Sequence, residues 1–243
     1  MKLFKTFLIL IFSTPIFSQD SFPENGVKST FSPIYAFTNA HIIISYDKEI
    51  LNGTLLIQDD KILAVDSIID IPKGAIVADL KGDFIYPSFI DLYSNYGLVP
   101  REKGEYSYRP QYESKKEGAY HWNESIHPEI SAADGFTYNK KQNKNYLNSG
   151  FGVVLTHHQD GIARGTGCLV SLSNEMEQKS ILLEKSASFF SFKKGVSNQR
   201  YPTSLMGSVA LLKQLFLDAY WHRNTNKTTN ISFNAFNDQI NLP

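Results

Sequence analysis

Between residues 35 and 86 the apolar positions fall in short runs separated by turn-forming polar residues. "YAFTNAHIIIS" is β-branched and aromatic. "GTLLIQDDKILAVD" sets two apolar runs around Asp59-Asp60, and "AIVADLKGDFIYP" repeats that form around Lys81-Gly82. Runs of this length, broken by such pairs, predict strands joined by hairpins. The segment is therefore expected to be a small antiparallel β unit. From Pro87 the pattern changes. "SFIDLYS" predicts a short strand that runs into a loop, and "GFGVVLTHH" predicts a buried strand centred on residues 153–156. "GCLVSL", "SILL" and "ASFFSF" predict further short strands, and "GIARGTG" at 161–167 predicts a turn. A helix is expected within 130–149. The clearest helix covers 202–222, where Leu205, Val209, Leu212, Phe216 and Ala219 share one face at helical spacing and read as core packing. Thr203 or Ser204 is placed to cap its start, just after Pro202. From Arg223 the chain is polar and rich in Asn, and no packed pattern is expected there.

Two segments stand outside this alternation. Residues 98–129 are polar and aromatic, with Tyr106, Tyr108, Tyr112, Tyr120 and Trp122. A stretch so long without periodicity predicts a functional loop or an ordered excursion. The first residues, "MKLFKTFLILIFSTPIFSQD", combine Lys2 and Lys5 with an apolar run from Phe7 to Phe12 and a small residue at Ser18. That order predicts an export signal over residues 1–18, cut after Ser18, with the mature protein periplasmic or extracellular. The run is too short for a spanning helix, which needs about 20 residues, so no stable membrane anchor is expected. Residues 19–34 read as a polar linker.

Composition narrows the function classes. Lys plus Arg and Asp plus Glu both number 24, for a formal net charge of zero. A nucleic-acid partner is not expected without a basic face. The one cysteine, Cys168, excludes an internal disulfide and a cysteine-built zinc site; it reads as a small buried residue. His157 and His158 follow a predicted strand, with Asp160 close by; the pair reads first as two loop histidines, one solvated and one packed, and second as the candidates for a binding site. His121 and His127 bracket "HWNESIHPE" with Glu124 and Glu129, which reads first as a loop folded over a site and second as a metal cluster.

One series of motifs is more specific. Asn52-Gly53-Thr54 is followed by Ile71-Pro72, then Asp79-Leu80-x-Gly82, then Pro87-x-Phe89-Ile90-Asp91. This order resembles the start of the amidohydrolase superfamily, in its imidazolonepropionase-like and dihydroorotase-like branches. The resemblance implies an α/β protein: a small β-sandwich unit over 35–86, then an incomplete (β/α) TIM-like barrel over 87–243. It also implies a hydrolase of C–N bonds other than peptide bonds, acting on a small-molecule substrate with one or two divalent metals, often zinc. In such a barrel a His-x-His pair ends the first strand and aims both imidazoles into the mouth. Here those two positions hold Tyr93 and Asn95. A neutral phenol is a poor ligand, and an amide oxygen suits calcium better than zinc. The expectation is that this chain does not bind the family's metal and is not catalytic by itself. A silent binding or scaffold module is the alternative reading. The residues after Pro87 are also fewer than the ~200 or more of a complete barrel, so a C-terminal continuation or a partner domain is expected to complete it.

Overall fold

Strand β1 (Ile34–Ser45) pairs antiparallel with β2 (Lys48–Gln58), which pairs antiparallel with β3 (Lys61–Asp66). The turn between β2 and β3 falls at Asp59, in the left-handed region at φ 54°, as its Asp-Asp pair predicts. The other edge of β1 takes β4 (Ile76–Asp79) and β5 (Phe84–Ile85), both parallel to it. The Lys81-Gly82 pair is therefore not a hairpin, and the unit is not wholly antiparallel. Leu80 and Gly82 donate their N–H groups to Thr38 and Asn39, and His41 donates to Asp83. β4, the turn and β5 are thus one interrupted edge strand following an irregularity in β1 at Asn39, whose φ is 54°. The two Asp- and Lys-bearing turns look alike in sequence; what separates them is that β1 offers a free edge only to the second.

Ala40, Ile42 and Leu55 form the core of this unit, with Phe37, Ile50, Val65 and Ile85 against it. Gly53 is required there, since a Cβ would come within 2.8 Å of Ile42 Cδ1. Among the described residues the unit holds a single five-stranded sheet and not the two facing sheets of a sandwich.

This computed structural model describes residues 32–59, 61–103, 112–172, 177–225 and 229–240, so the export signal, most of the linker, Tyr106 and Tyr108 lie outside the described residues. The chain divides between Tyr86 and Pro87 into two units. The second unit begins with β6 (Phe89–Ser94), which is parallel to β7 (Phe151–Thr156); the intervening chain carries helix α1 (Lys140–Asn148). Asn139 caps α1 by accepting from the Gln142 N–H at 3.0 Å. β8 (Ala163–Ser171) and β9 (Ile181–Phe190) then add antiparallel to β7 in the order β6-β7-β8-β9. Only the β6–β7 pair has the parallel arrangement of a (β/α) barrel. Three more helices follow the strands or precede them: α2 (Glu177–Ser180), α3 (Leu205–Thr225) and α4 (Ile231–Ile240).

Four expectations change here. Residues 163–167 of the supposed turn belong to β8, and "SILL" and "ASFFSF" are one strand, β9. The segment 126–132 runs beside β8, with Thr166 donating to Ile130 and Ala132 to Thr166. Gly165 makes that approach possible: it sits at φ +84°, and a Cβ would lie 1.9 Å from the Ile130 carbonyl oxygen. Helix α3 is present and Ser204 caps it through the Gly207 N–H at 3.1 Å, but it buries Ser208, Leu211, Leu215, Ala219 and His222. Of the expected stripe only Ala219 is buried; Leu205, Val209 and Phe216 are exposed. α3 is apolar nearly all round, so periodicity cannot choose its face, and small Ser208 and Ala219 allow the close approach instead. The tail is also packed. Phe236 of α4 is 0% exposed and joins Ile126, Ile162, Leu211 and Leu215 in one core. A second core gathers Tyr96, Phe136, Val154, Cys168 and Val170.

Candidate functional site

The ends of β6 and β7 are tied together by hydrogen bonds. The His157 N–H donates to the Ser94 carbonyl at 3.0 Å, and Thr156 Oγ1 donates to the Tyr96 carbonyl at 2.8 Å. Ser94 Oγ in turn accepts from the Tyr96 N–H at 2.9 Å and so ends the strand. This fixes Asn95 and His157 side by side where two parallel strands finish. In β/α folds that is where binding residues collect.

His157 is 1% exposed, and neither ring nitrogen has a hydrogen-bond partner among the described residues. Its ring lies flat on Phe189, with centroids 3.6 Å apart and planes 5° from parallel. The Tyr93 ring also packs against it, with centroids 4.7 Å apart and planes 68° from parallel. Burial, then the positive charge of Arg164, lowers its pKa to about 4, with Asp91 opposing. The ring is therefore neutral at pH 7. Arg164, on β8, is only 7% exposed. Its Nη1 donates to the Tyr93 hydroxyl at 2.9 Å and its Nε to the Gly161 carbonyl at 3.1 Å. No carboxylate pairs with it among the described residues.

Asn95, His157 and His158 line one cavity of about 220 Å³ together with Arg101, Asp160 and Val196. Asp160 Oδ1 accepts from the Val196 N–H at 2.8 Å, which holds the 195–196 turn over the cavity. Its other oxygen lies 3.8 Å from Arg101 Nη1. Burial lowers the His158 pKa, and the Arg101 charge adds to this.

Arg101 links this cavity to a second polar cluster. It donates to His127 Nε2 at 3.1 Å, leaving the ring proton on Nδ1, 3.7 Å from Glu129 Oε1. Lys116 Nζ lies 3.2 Å from the same oxygen, and Ser232 of α4 donates to Glu129 Oε2 at 2.7 Å. Burial would raise the Glu129 pKa; His127, the Lys116 charge and Ser232 outweigh it and hold it at about 2. His121 takes no part in that carboxylate cluster. Its N–H donates to Ser232 Oγ and its Nδ1 accepts from the Asn123 N–H. Glu124 turns to the Lys115 N–H at 2.8 Å. The two histidines and two glutamates of "HWNESIHPE" thus do not converge. Among the described residues no group of three or more His, Cys, Asp or Glu is placed to hold a metal ion. Cys168 is buried, and burial pushes its thiol up to about 11.

Tyr93, Asn95, His157 and His158 thus lie at the ends of β6 and β7. Arg164, Arg101 and Phe189 were not foreseen. Arg164 had a signal: a lone charge in the small-residue stretch "GIARGTG".

The fold has a solved counterpart. An amidohydrolase from Thermotoga maritima MSB8 matches 83% of this chain with a TM-score of 0.65 at 18% identity. The match takes in 54% of that protein, so the chain spans about half its length. A second solved amidohydrolase aligns with 25% of this chain and 15% of its own length, at 28% identity and a TM-score of 0.23. No family model and no curated protein matches the sequence. At such identity the likeness establishes an amidohydrolase-like fold.

Proposed function

We propose that this chain is the N-terminal part of an exported amidohydrolase-like protein, and that its strand-end site binds a small-molecule ligand without a metal held at Tyr93 and Asn95. In this reading β1–β5 are the flanking β unit and β6–α1–β7 is the first turn of an incomplete (β/α) barrel. Edge strand β6, with Phe89, Ile90 and Leu92 exposed, is where a C-terminal continuation or a partner domain would add. Hydrolysis of C–N bonds, where the whole protein performs it, would draw its catalytic groups from there.

The observation that carries the reading is the Arg164–Tyr93 hydrogen bond. A divalent ion at the family position would have to accept a neutral phenol oxygen and an amide as ligands. It would also sit beside a buried guanidinium already bonded to that oxygen. Like charges so close repel, and a phenol that accepts from Arg164 has one lone pair fewer for a metal. The donor set does not fit zinc. His157 would be a better ligand, but it is 1% exposed.

Elemental analysis of the purified chain, after dialysis against equimolar zinc, tests this. Less than a tenth of an equivalent of zinc is expected. One equivalent, lost on Asn95→Ala, would sink the proposal.

A further inference from the structure

We infer that Arg164 and Tyr93 form a subsite for a carboxylate group. Arg164 is buried, yet only Nη1 and Nε have hydrogen-bond partners among the described residues, and neither partner is an anion. A guanidinium withdrawn from water is costly unless an anion answers it. Its planar fork of N–H groups matches a carboxylate better than any other common ligand group.

Tyr93 adds a second donor. Its oxygen accepts from Arg164, so its own O–H proton points elsewhere, and no acceptor for that proton is present among the described residues. The residue is 57% exposed, which leaves a way in from solvent. A hydroxyl that accepts from a cation is a stronger donor in its turn. Arg164 Nη and the Tyr93 O–H thus form an adjacent pair of donors with no acid between them.

The surroundings suit a bound carboxylate. His157 packs against the Tyr93 ring and presents no competing negative charge. Asp160 is engaged by the Val196 N–H; the Asp91 carboxylate accepts from the Tyr93 N–H at 3.0 Å and keeps its charge, which is felt at His157. The subsite occupies the place where the fold family holds a cation, and it supplies a fixed positive charge from the protein itself. The inference rests on the reading that this position holds no metal.

A carboxylate could come from a free small molecule or from a glutamate or aspartate of another protein segment. The experiment separates these. The chain is titrated with acetate, and separately with N-acetyl-glutamate amide, while ¹H–¹⁵N spectra follow the arginine Nε–H signals. Chloride at equal ionic strength is the control, and zinc content is measured on the same sample. The expected Kd for the better ligand is about 1–10 mM, within the ceiling for so small a molecule. Tyr93→Phe removes one donor and is expected to weaken binding by roughly threefold or more; Arg164→Met is expected to weaken it by at least about tenfold. Both variants are checked for retained fold by circular dichroism. Tighter acetate assigns a free carboxylate; tighter blocked glutamate assigns a protein side chain. No saturation by either ligand, equal shifts with chloride, or unchanged affinity in folded Tyr93→Phe overturns the subsite. Zinc in the sample would instead overturn the metal-free reading beneath it.

Discussion

Glu129→Gln tests whether the loop that crosses β8 is held to α4 by charge. Glu129 accepts from Ser232 at 2.7 Å and faces Lys116 Nζ at 3.2 Å. Its side chain is 14% exposed, so solvent screens these contacts only partly. The carboxyl pKa falls from 4.5 to about 2 on folding. At about 1.4 kcal/mol per pKa unit, the ionised form contributes about 3 kcal/mol to stability. Glutamine keeps the shape and an acceptor oxygen but removes the charge and leaves Lys116 buried beside a neutral group. Urea denaturation at pH 7 should show the variant about 2–3 kcal/mol less stable. The folded pKa is the lower one, so the contribution is complete above pH 4.5 and is lost as pH falls towards 2. The gap between wild type and variant should therefore shrink through that window. Titrations of histidines other than His121 and His127, which feel the Glu129 charge, cancel in the difference. A gap below about 0.5 kcal/mol at pH 7, within the range of ordinary surface changes, or one that stays flat down to pH 2.5, would refute the reasoning.

Other outcomes follow from packing. Phe236→Ala should cost about 3–5 kcal/mol, because Phe236 is fully buried against Phe216 at 4.8 Å and Phe190 at 6.1 Å; a loss under 1 kcal/mol in urea would show that α4 is not part of the core. Gly165→Ala should destabilise by at least about 2 kcal/mol, since the new methyl would meet the Ile130 carbonyl, and thermal melting that matches wild type would contradict the β8 approach. Cys168, with its thiol pushed up to about 11 in the core, should label with a disulfide reagent only after unfolding; rapid labelling of the native chain at pH 8 would place it elsewhere.

Local pattern carried the strand-rich first unit, the position of α3 with its Ser204 cap, and the strands around Phe89–Ser94 and Phe151–Thr156. It also singled out Tyr93, Asn95, His157 and His158. These are properties of neighbours in the chain: alternation, turn residues, a capping hydroxyl, a motif with fixed spacing. What pattern could not settle were choices made between distant segments. Lys81-Gly82 reads like a hairpin, yet β5 follows β1 because β1 has an open edge there. The stripe on α3 was misplaced because an almost uniformly apolar helix takes its buried face from what it meets, here Ile126, Ile162 and Phe236. The Asn-rich tail folds as α4 because Ser232 and Asn237 find partners in Glu129 and the Ala219 carbonyl, contacts 103 and 18 residues apart in sequence.

The site divides in the same way. That Tyr93 and Asn95 stand two apart, at the end of a predicted strand, is written in the sequence and needs no coordinates. That a guanidinium 71 residues away bonds to Tyr93, and that Phe189 clamps His157, depends on β8 and β9 folding back over β7. Residue type sets which donors and charges are available; only tertiary contact decides which of them meet.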